Sequence, residues 1–376
     1  MNDGVAARRV AINALRRIDS DSAYANLALR PILERSELDE RGRAAVTDLV
    51  YGTLRRRRSC DFLVDRFLSS PPPPLARAAL RVGAYQLRFA GTPPHAAVST
   101  TVAAVPQRFR GLVNAVLRKV ASTDVEWPDL GTRLSYPDWI VDRLTADLGE
   151  EAAAAALEAM NEPAEVTRRA DGYVQDRASQ WVADAVEVSA GDVVADVCAA
   201  PGGKATAIAG RGARVVALDV RPKRVGLVAE NAERLGVPVL AVAGDGVLPP
   251  LREGRFDAVL VDAPCSGLGV LRRRPDARWR IGQDDVDRLT GVQAALLDAA
   301  VGLVRPGGLL VYSVCTLTRA ETVDQASALA ERHPELEPLD PLEGAWRPFP
   351  AGGMVLPQDA GTDGMAVFRW RIRSLP

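Results

Sequence analysis

A chain of 376 residues exceeds what one hydrophobic core usually serves, so two domains are expected. At 47% hydrophobic and 25% charged it has the composition of a soluble globular protein, and no apolar run is long enough for a membrane span. The net charge of −1 hides an asymmetry: residues 1–125 hold 20 Lys or Arg against 11 Asp or Glu, a net of +9, which points that part of the chain at a polyanion.

The first 120 residues read as helices. Val10, Ile12, Leu15 and Ile18 mark one, and Leu27, Leu29, Ile32 and Leu33 begin another. Asp39 is placed to cap a third, whose apolar side (Val46, Leu49, Val50, Leu54) runs into the basic stretch Arg55, Arg56, Arg57 and Arg58. Pro71 to Pro74 form a rigid connector. Leu75–Phe89 and Ala96–Val120 then recover the helical period on either side of Gly91-Thr92-Pro93-Pro94. Residues 1–125 are therefore expected to form an all-α bundle. Residues 126–186 read as a linker or N-terminal extension, in which Trp127, Trp139 and Trp181 are expected to fill joints between units.

From residue 187 to 376 short β-branched runs alternate with helical segments. Val193–Val197, Arg214–Leu218, Val239–Ala243, Ala258–Val261 and Leu309–Tyr312 are the predicted strands; helices are predicted from Lys204, Lys223, Asp285 and Ala320. The alternation implies an α/β fold with a mainly parallel, Rossmann-like sheet. The tail from Trp346 to Trp370, broken by glycine turns, suggests strands added at a sheet edge.

Asp196-Val197-Cys198-Ala199-Ala200-Pro201-Gly202-Gly203-Lys204 supplies a strand, a glycine turn and a helix start, where backbone N–H groups face a ligand. Asp219 ends the next strand, 17 residues after Gly202, where an acid reaches a ribose hydroxyl. Asp245 and Asp262 close later strands. The GxGxxG dinucleotide fingerprint is absent, so an adenosine ligand without a pyrophosphate fits better, with S-adenosylmethionine foremost.

The four cysteines are widely spaced, with neither CxxC pairs nor nearby histidines, which disfavours a metal site or disulfides and suits a reducing cytoplasm. The basic start of the chain lacks a following apolar stretch, so no secretion signal is expected. Cys265 and Cys315 each end a strand-like run, where a thiol is placed to act as a nucleophile. Cys198 and Cys60 are expected to pack. Carbon 5 of a pyrimidine becomes nucleophilic only after a thiolate adds to carbon 6, and the reaction also needs an acid near ring nitrogen 3 and a base for the carbon-5 proton. On these grounds either cysteine qualifies as the nucleophile.

Asp196–Lys204, Asp262-Ala263-Pro264-Cys265-Ser266-Gly267, Arg273-Arg274-Pro275-Asp276 and Tyr312-Ser313-Val314-Cys315-Thr316 resemble the motifs of RNA cytosine-5 methyltransferases. Leu49–Arg55, Leu80–Leu87 and Gly111–Arg118 resemble the NusB-like domain that precedes them in the bacterial Sun/Fmu type. The resemblance implies Cys315 as nucleophile, Cys265 in product release and Asp262 at cytosine N3. It implies S-adenosylmethionine contacts at Cys198, Ala199, Ala200, Pro201, Gly202, Gly203, Lys204, Asp219, Asp245 and Asp262. The expected partner is RNA, foremost 16S ribosomal RNA, contacted by Arg55–Arg58 and by Arg272, Arg273 and Arg274; a monomer without metal or membrane is expected. Two departures stand out: Val314-Cys315-Thr316 replaces the commoner Thr-Cys-Ser, and Gly364-Met365-Ala366 lacks the usual two aromatics. Three other readings stand beside this one: the same chemistry on transfer RNA, a nucleotide-dependent oxidoreductase, and a non-catalytic RNA-binding or assembly protein.

Overall fold

In the computed structural model Asp39 accepts the amide proton of Gly42 at 2.7 Å and starts the helix Glu40–Arg55, as a short acid before an apolar run should. The structure describes residues 3–21 and 23–373. The chain divides into a helical unit, residues 1–142 with 274–280, and a sheet unit, residues 143–273 with 281–376. No helix among the described residues is long and apolar enough to cross a membrane.

The helical unit buries Ile12, Leu15, Val50, Leu80, Val116 and Leu117 in a common core. Pro74 and Pro94 open the helices Pro74–Arg88 and Pro94–Ala104, where a missing N–H costs nothing. The single helix expected over Ala96–Val120 is two, Pro94–Ala104 and Gln107–Ser122. Pro106 holds the preceding Val105 extended, at φ −100° and ψ 155°, and so breaks the run.

The compact units divide after Asp142, within the stretch 126–186 expected as a linker or extension. Residues 126–142 join the helical unit, where Trp127 packs on Phe62 and Phe89 at centroid distances of 5.6 and 6.5 Å. Residues 143–186 join the sheet unit, where Trp181 meets Trp346 edge-on at 6.2 Å.

Residues 274–280 also belong to the helical unit. Asp276 accepts the amide proton of Ala25 at 3.1 Å, and the Trp279 indole donates to the Leu54 carbonyl at 3.1 Å. Arg278 is fully buried, lies 3.8 Å over the Tyr136 ring, and donates to the carbonyls of Arg55 and Ser135, both at 3.0 Å. Burial pushes its pKa down to about 10, still far above neutrality. Arg278→Leu strands these carbonyls and is expected to destabilise the helical unit by about 2–4 kcal/mol. The urea midpoint reads this directly, and an unchanged midpoint would show that the carbonyls find other donors.

The sheet unit contains β1 (Val193–Asp196), β2 (Arg214–Asp219), β3 (Val239–Ala243), β4 (Phe256–Asp262) and β5 (Val304–Val314). They are joined by β6 (Leu336–Pro338), β7 (Arg347–Phe349), β8 (Gly352–Val355) and β9 (Met365–Ile372). The strand order is β3-β2-β1-β4-β5-β9-β8-β7, with β6 also on β9. β1 to β5 run parallel, and β9 adds antiparallel to β5, so the tail supplies the expected edge strands. The order reverses between β1 and β4, and ligands of open α/β sheets bind beyond the carboxyl ends at such a switch point.

Candidate active site

β1 and β4 end side by side at Asp196 and Asp262, and β5 continues to Cys315, so the switch point collects the acids and thiols singled out above. Gly202 caps the helix Gly203–Ala209 from the left-handed region, at φ +102°, which turns the chain sharply out of β1. A Cβ there would press on the Val228 backbone at 3.2 Å, so glycine is required on both counts. The first N–H groups of a helix have no intrahelical partner and are free to meet a ligand.

Asp219 is buried at the end of β2 and accepts the amide proton of Arg221 at 3.0 Å, with the Arg224 guanidinium 3.5 Å from its other oxygen. Asp245 is exposed after β3 and accepts from the Val247 amide at 2.9 Å. A glycine cradle, a buried acid at the end of β2 and a second acid after β3 fit a nucleoside with a diol. Asp196 lies beneath the loop, and burial, reinforced by Asp262, pushes its carboxyl up to about 7. Cys198 is half-buried, and burial, reinforced by Asp196, pushes its thiol up.

Lys204 was expected among the cofactor contacts. Its ammonium reaches Asp262, another of the expected contacts, at 2.7 Å. Burial would lower its proton affinity, but Asp262 outweighs burial and holds the amine above its ordinary range. The other Asp262 oxygen accepts from Ser313 Oγ at 2.7 Å, a bond set by the Asp262–Ser313 register of β4 and β5. Asp262 is thus fixed in one orientation by two donors, one of them charged.

The two thiols sit within reach of one another: Cys265 Sγ lies 3.4 Å from Cys315 Sγ. That contact, followed by burial, pushes the Cys265 thiol well up. Gly269 donates to the Cys315 carbonyl at 3.0 Å, and Gly364 donates to the Gly269 carbonyl at 2.9 Å. A Cβ on Gly269 would come within 2.2 Å of the Gly364 carbonyl oxygen, so the two chains pass at backbone contact. The unusual Met365 and Ala366 are buried in β9 and leave that approach intact.

Residues 183–369 match the family described as 16S rRNA methyltransferase RsmB/F, and residues 5–122 match the NusB family. Ribosomal RNA small subunit methyltransferase B of Thermus thermophilus is 37% identical over 91% of this chain and 91% of its own. The chain belongs to the RsmB/F methyltransferase family. The probable ribosomal RNA small subunit methyltransferase B of Bacillus subtilis is 31% identical over 97% of this chain and 98% of its own. The crystal structure of PH0851 shares the fold, with a TM-score of 0.79 and 21% identity over 97% of this chain and 98% of that one. This RsmB/F-family protein is an RNA methyltransferase whose cofactor is S-adenosylmethionine.

The basic runs meet partners within the protein. Arg55 is buried, and its carbonyl accepts from Arg278. Arg56 lies 4.9 Å over the Phe89 ring, and Arg57 pairs with Asp19 at 3.4 Å. Arg58 pairs with Asp138 at 2.5 Å and donates to the Tyr136 carbonyl at 2.7 Å. Arg272 is buried against Asp363 and Thr362. Arg273 bridges Asp363 at 2.8 Å and Asp176 at 2.6 Å. Arg274 is exposed. Arg56, Arg57, Arg58, Arg272 and Arg273 thus meet rings, carbonyls or acids within their own units. A run of arginines does not reveal from sequence which partners its fold supplies.

One functional candidate escaped the sequence reading. Glu321 is fully buried and joins the turns after both cysteines. The only hint is a lone acid among the hydroxyls of Thr316, Thr318 and Thr322.

Proposed function

We propose that this protein methylates carbon 5 of a cytosine in 16S ribosomal RNA through a covalent intermediate on Cys315. The observation that carries the reading is the pair of strand-end thiols at 3.4 Å, beside an Asp262 fixed by Lys204 and Ser313. Cys315 as thiolate adds to carbon 6, and carbon 5, now enamine-like, takes the methyl group from the sulfonium, which departs as the neutral thioether. A base removes the carbon-5 proton, the Cys315–carbon bond breaks, and the ring double bond returns. Cys265 serves this release. Asp262 and the Lys204 ammonium face the polar edge of the base at nitrogen 3, where charge shifts during addition.

S-adenosylmethionine supplies the methyl group when bound. The Cys198–Gly203 loop would hold its methionine part, Asp219 would take the ribose hydroxyls, and Asp245 would serve the base side. Asp219→Ala is expected to raise the cofactor dissociation constant by about 10- to 100-fold, since charge-assisted hydrogen bonds are lost. Calorimetry checks this, and an unchanged constant would remove Asp219 from the ribose site.

With Arg55 and Arg272 buried, RNA phosphates are left to exposed cations of the helical unit such as Arg9, Arg16, Arg41, Arg108 and Arg118. Such contacts add affinity without reading sequence, and a flipped cytosine in a loop supplies the specificity. Names of the relatives favour 16S ribosomal RNA over transfer RNA. Bisulfite sequencing of total RNA from a deletion strain tests both points. One cytosine in 16S RNA should lose protection and regain it on complementation; unchanged 16S RNA with a lost transfer RNA signal would move the substrate.

A further inference from the structure

Glu321 stands in the short turn Arg319–Glu321 that follows β5, fully buried, and its carboxylate meets five donors. Oε1 accepts from the Ser266 amide at 2.7 Å and from Gln293 Nε2 at 3.1 Å. Oε2 lies 2.5 Å from Ser266 Oγ, 2.8 Å from Thr318 Oγ1 and 3.1 Å from Thr316 Oγ1. Ser266 follows Cys265 and Thr316 follows Cys315, and their hydroxyls meet each other at 2.7 Å. Gln293 also donates to the carbonyl of Pro264, on the other side of Cys265, at 2.9 Å. Tyr312 donates its hydroxyl proton to the Glu321 carbonyl at 2.7 Å, which ties the turn back to β5.

One buried side chain therefore clamps the two loops that carry the thiols. Burying a carboxylate is costly, and a packing role alone would be served as well by an apolar side chain. We propose that Glu321 is a positioning residue that fixes the Cys265 and Cys315 turns against each other, so that the two sulfurs remain in contact through both halves of the reaction. The inference rests on the two-cysteine chemistry proposed above. Glu321 also adds negative charge near Cys265, after the Cys315 contact and burial, in favour of the protonated thiol. A clamp of this kind acts on the transition states for addition and release, and leaves the cofactor loop alone.

The test compares full-length wild type with Glu321→Gln, Glu321→Ala and Thr318→Val. The first readout is the rate at which diamide closes a Cys265–Cys315 disulfide, followed by mass spectrometry; the two thiols lose two protons and two electrons, and the reagent's N=N bond takes them up. The second is the single-turnover rate of RNA methylation beside the S-adenosylmethionine dissociation constant. Glu321→Ala is expected to slow methylation by about 100-fold and disulfide closure by about tenfold, with Glu321→Gln and Thr318→Val in between and cofactor affinity unchanged. A merely structural role would move melting temperature and cofactor affinity together. Should the alanine variant fail to fold, the two isosteric variants decide: wild-type disulfide closure and methylation in both would overturn the proposal. Disulfide closure needs neither RNA nor cofactor, so it judges Glu321 even if Cys315→Ala shows that the covalent chemistry is wrong.

Discussion

Cys315→Ala is expected to lose methyl transfer by at least about a thousandfold, because without the covalent step carbon 5 never becomes nucleophilic. S-adenosylmethionine affinity should stay within about twofold, since the cofactor loop and Asp219 lie on β1 and β2 while Cys315 follows β5. The substitution removes one sulfur from a residue that keeps some exposure, so folding should survive. The signature is a lost rate constant with an intact cofactor complex. Near-normal turnover in this variant would end the assignment and pass the nucleophile's role to Cys265.

Cys265→Ala should behave in the opposite way. Addition and methyl transfer need only Cys315, so the first turnover proceeds, but release slows and RNA accumulates on the protein. The observable is a labelled RNA band that moves with the protein through denaturant, and multiple-turnover rates should fall by about 100-fold or more. Loss of methylation without any adduct would mean that Cys265 acts before the methyl group moves. The 3.4 Å separation of the sulfurs makes either order sterically accessible, so the experiment and not the geometry separates the roles.

Much of this was legible in the sequence for physical reasons. β-branched runs ending in acids, a double glycine and paired cysteines impose a parallel sheet with its chemistry at the carboxyl ends, and β1 to β5 lie where those runs stand. Local rules failed where partners are distant in sequence. Lys204 looks like a loop residue until Asp262, 58 positions on, comes within 2.7 Å. Arg278 sits in a stretch bordering the sheet motifs, yet its carbonyl partners lie 223 and 143 residues away in the helical unit. Glu321 has no motif of its own, because its meaning comes from Ser266, 55 residues earlier. The arginine runs follow the same rule: their charge density is visible in the sequence, but the rings, carbonyls and acids beside it are not.

Catalysis through Cys315 requires that a cytosine be held on that sulfur. Cys265→Ala protein incubated with S-adenosylmethionine and ribosomal RNA, then digested with nuclease and protease, tests it by mass spectrometry. A methylated cytidine nucleotide is expected on the peptide bearing Cys315, and none when Cys315 is also alanine. A nucleotide on any other residue, or methylated RNA with no protein adduct at all, would contradict it.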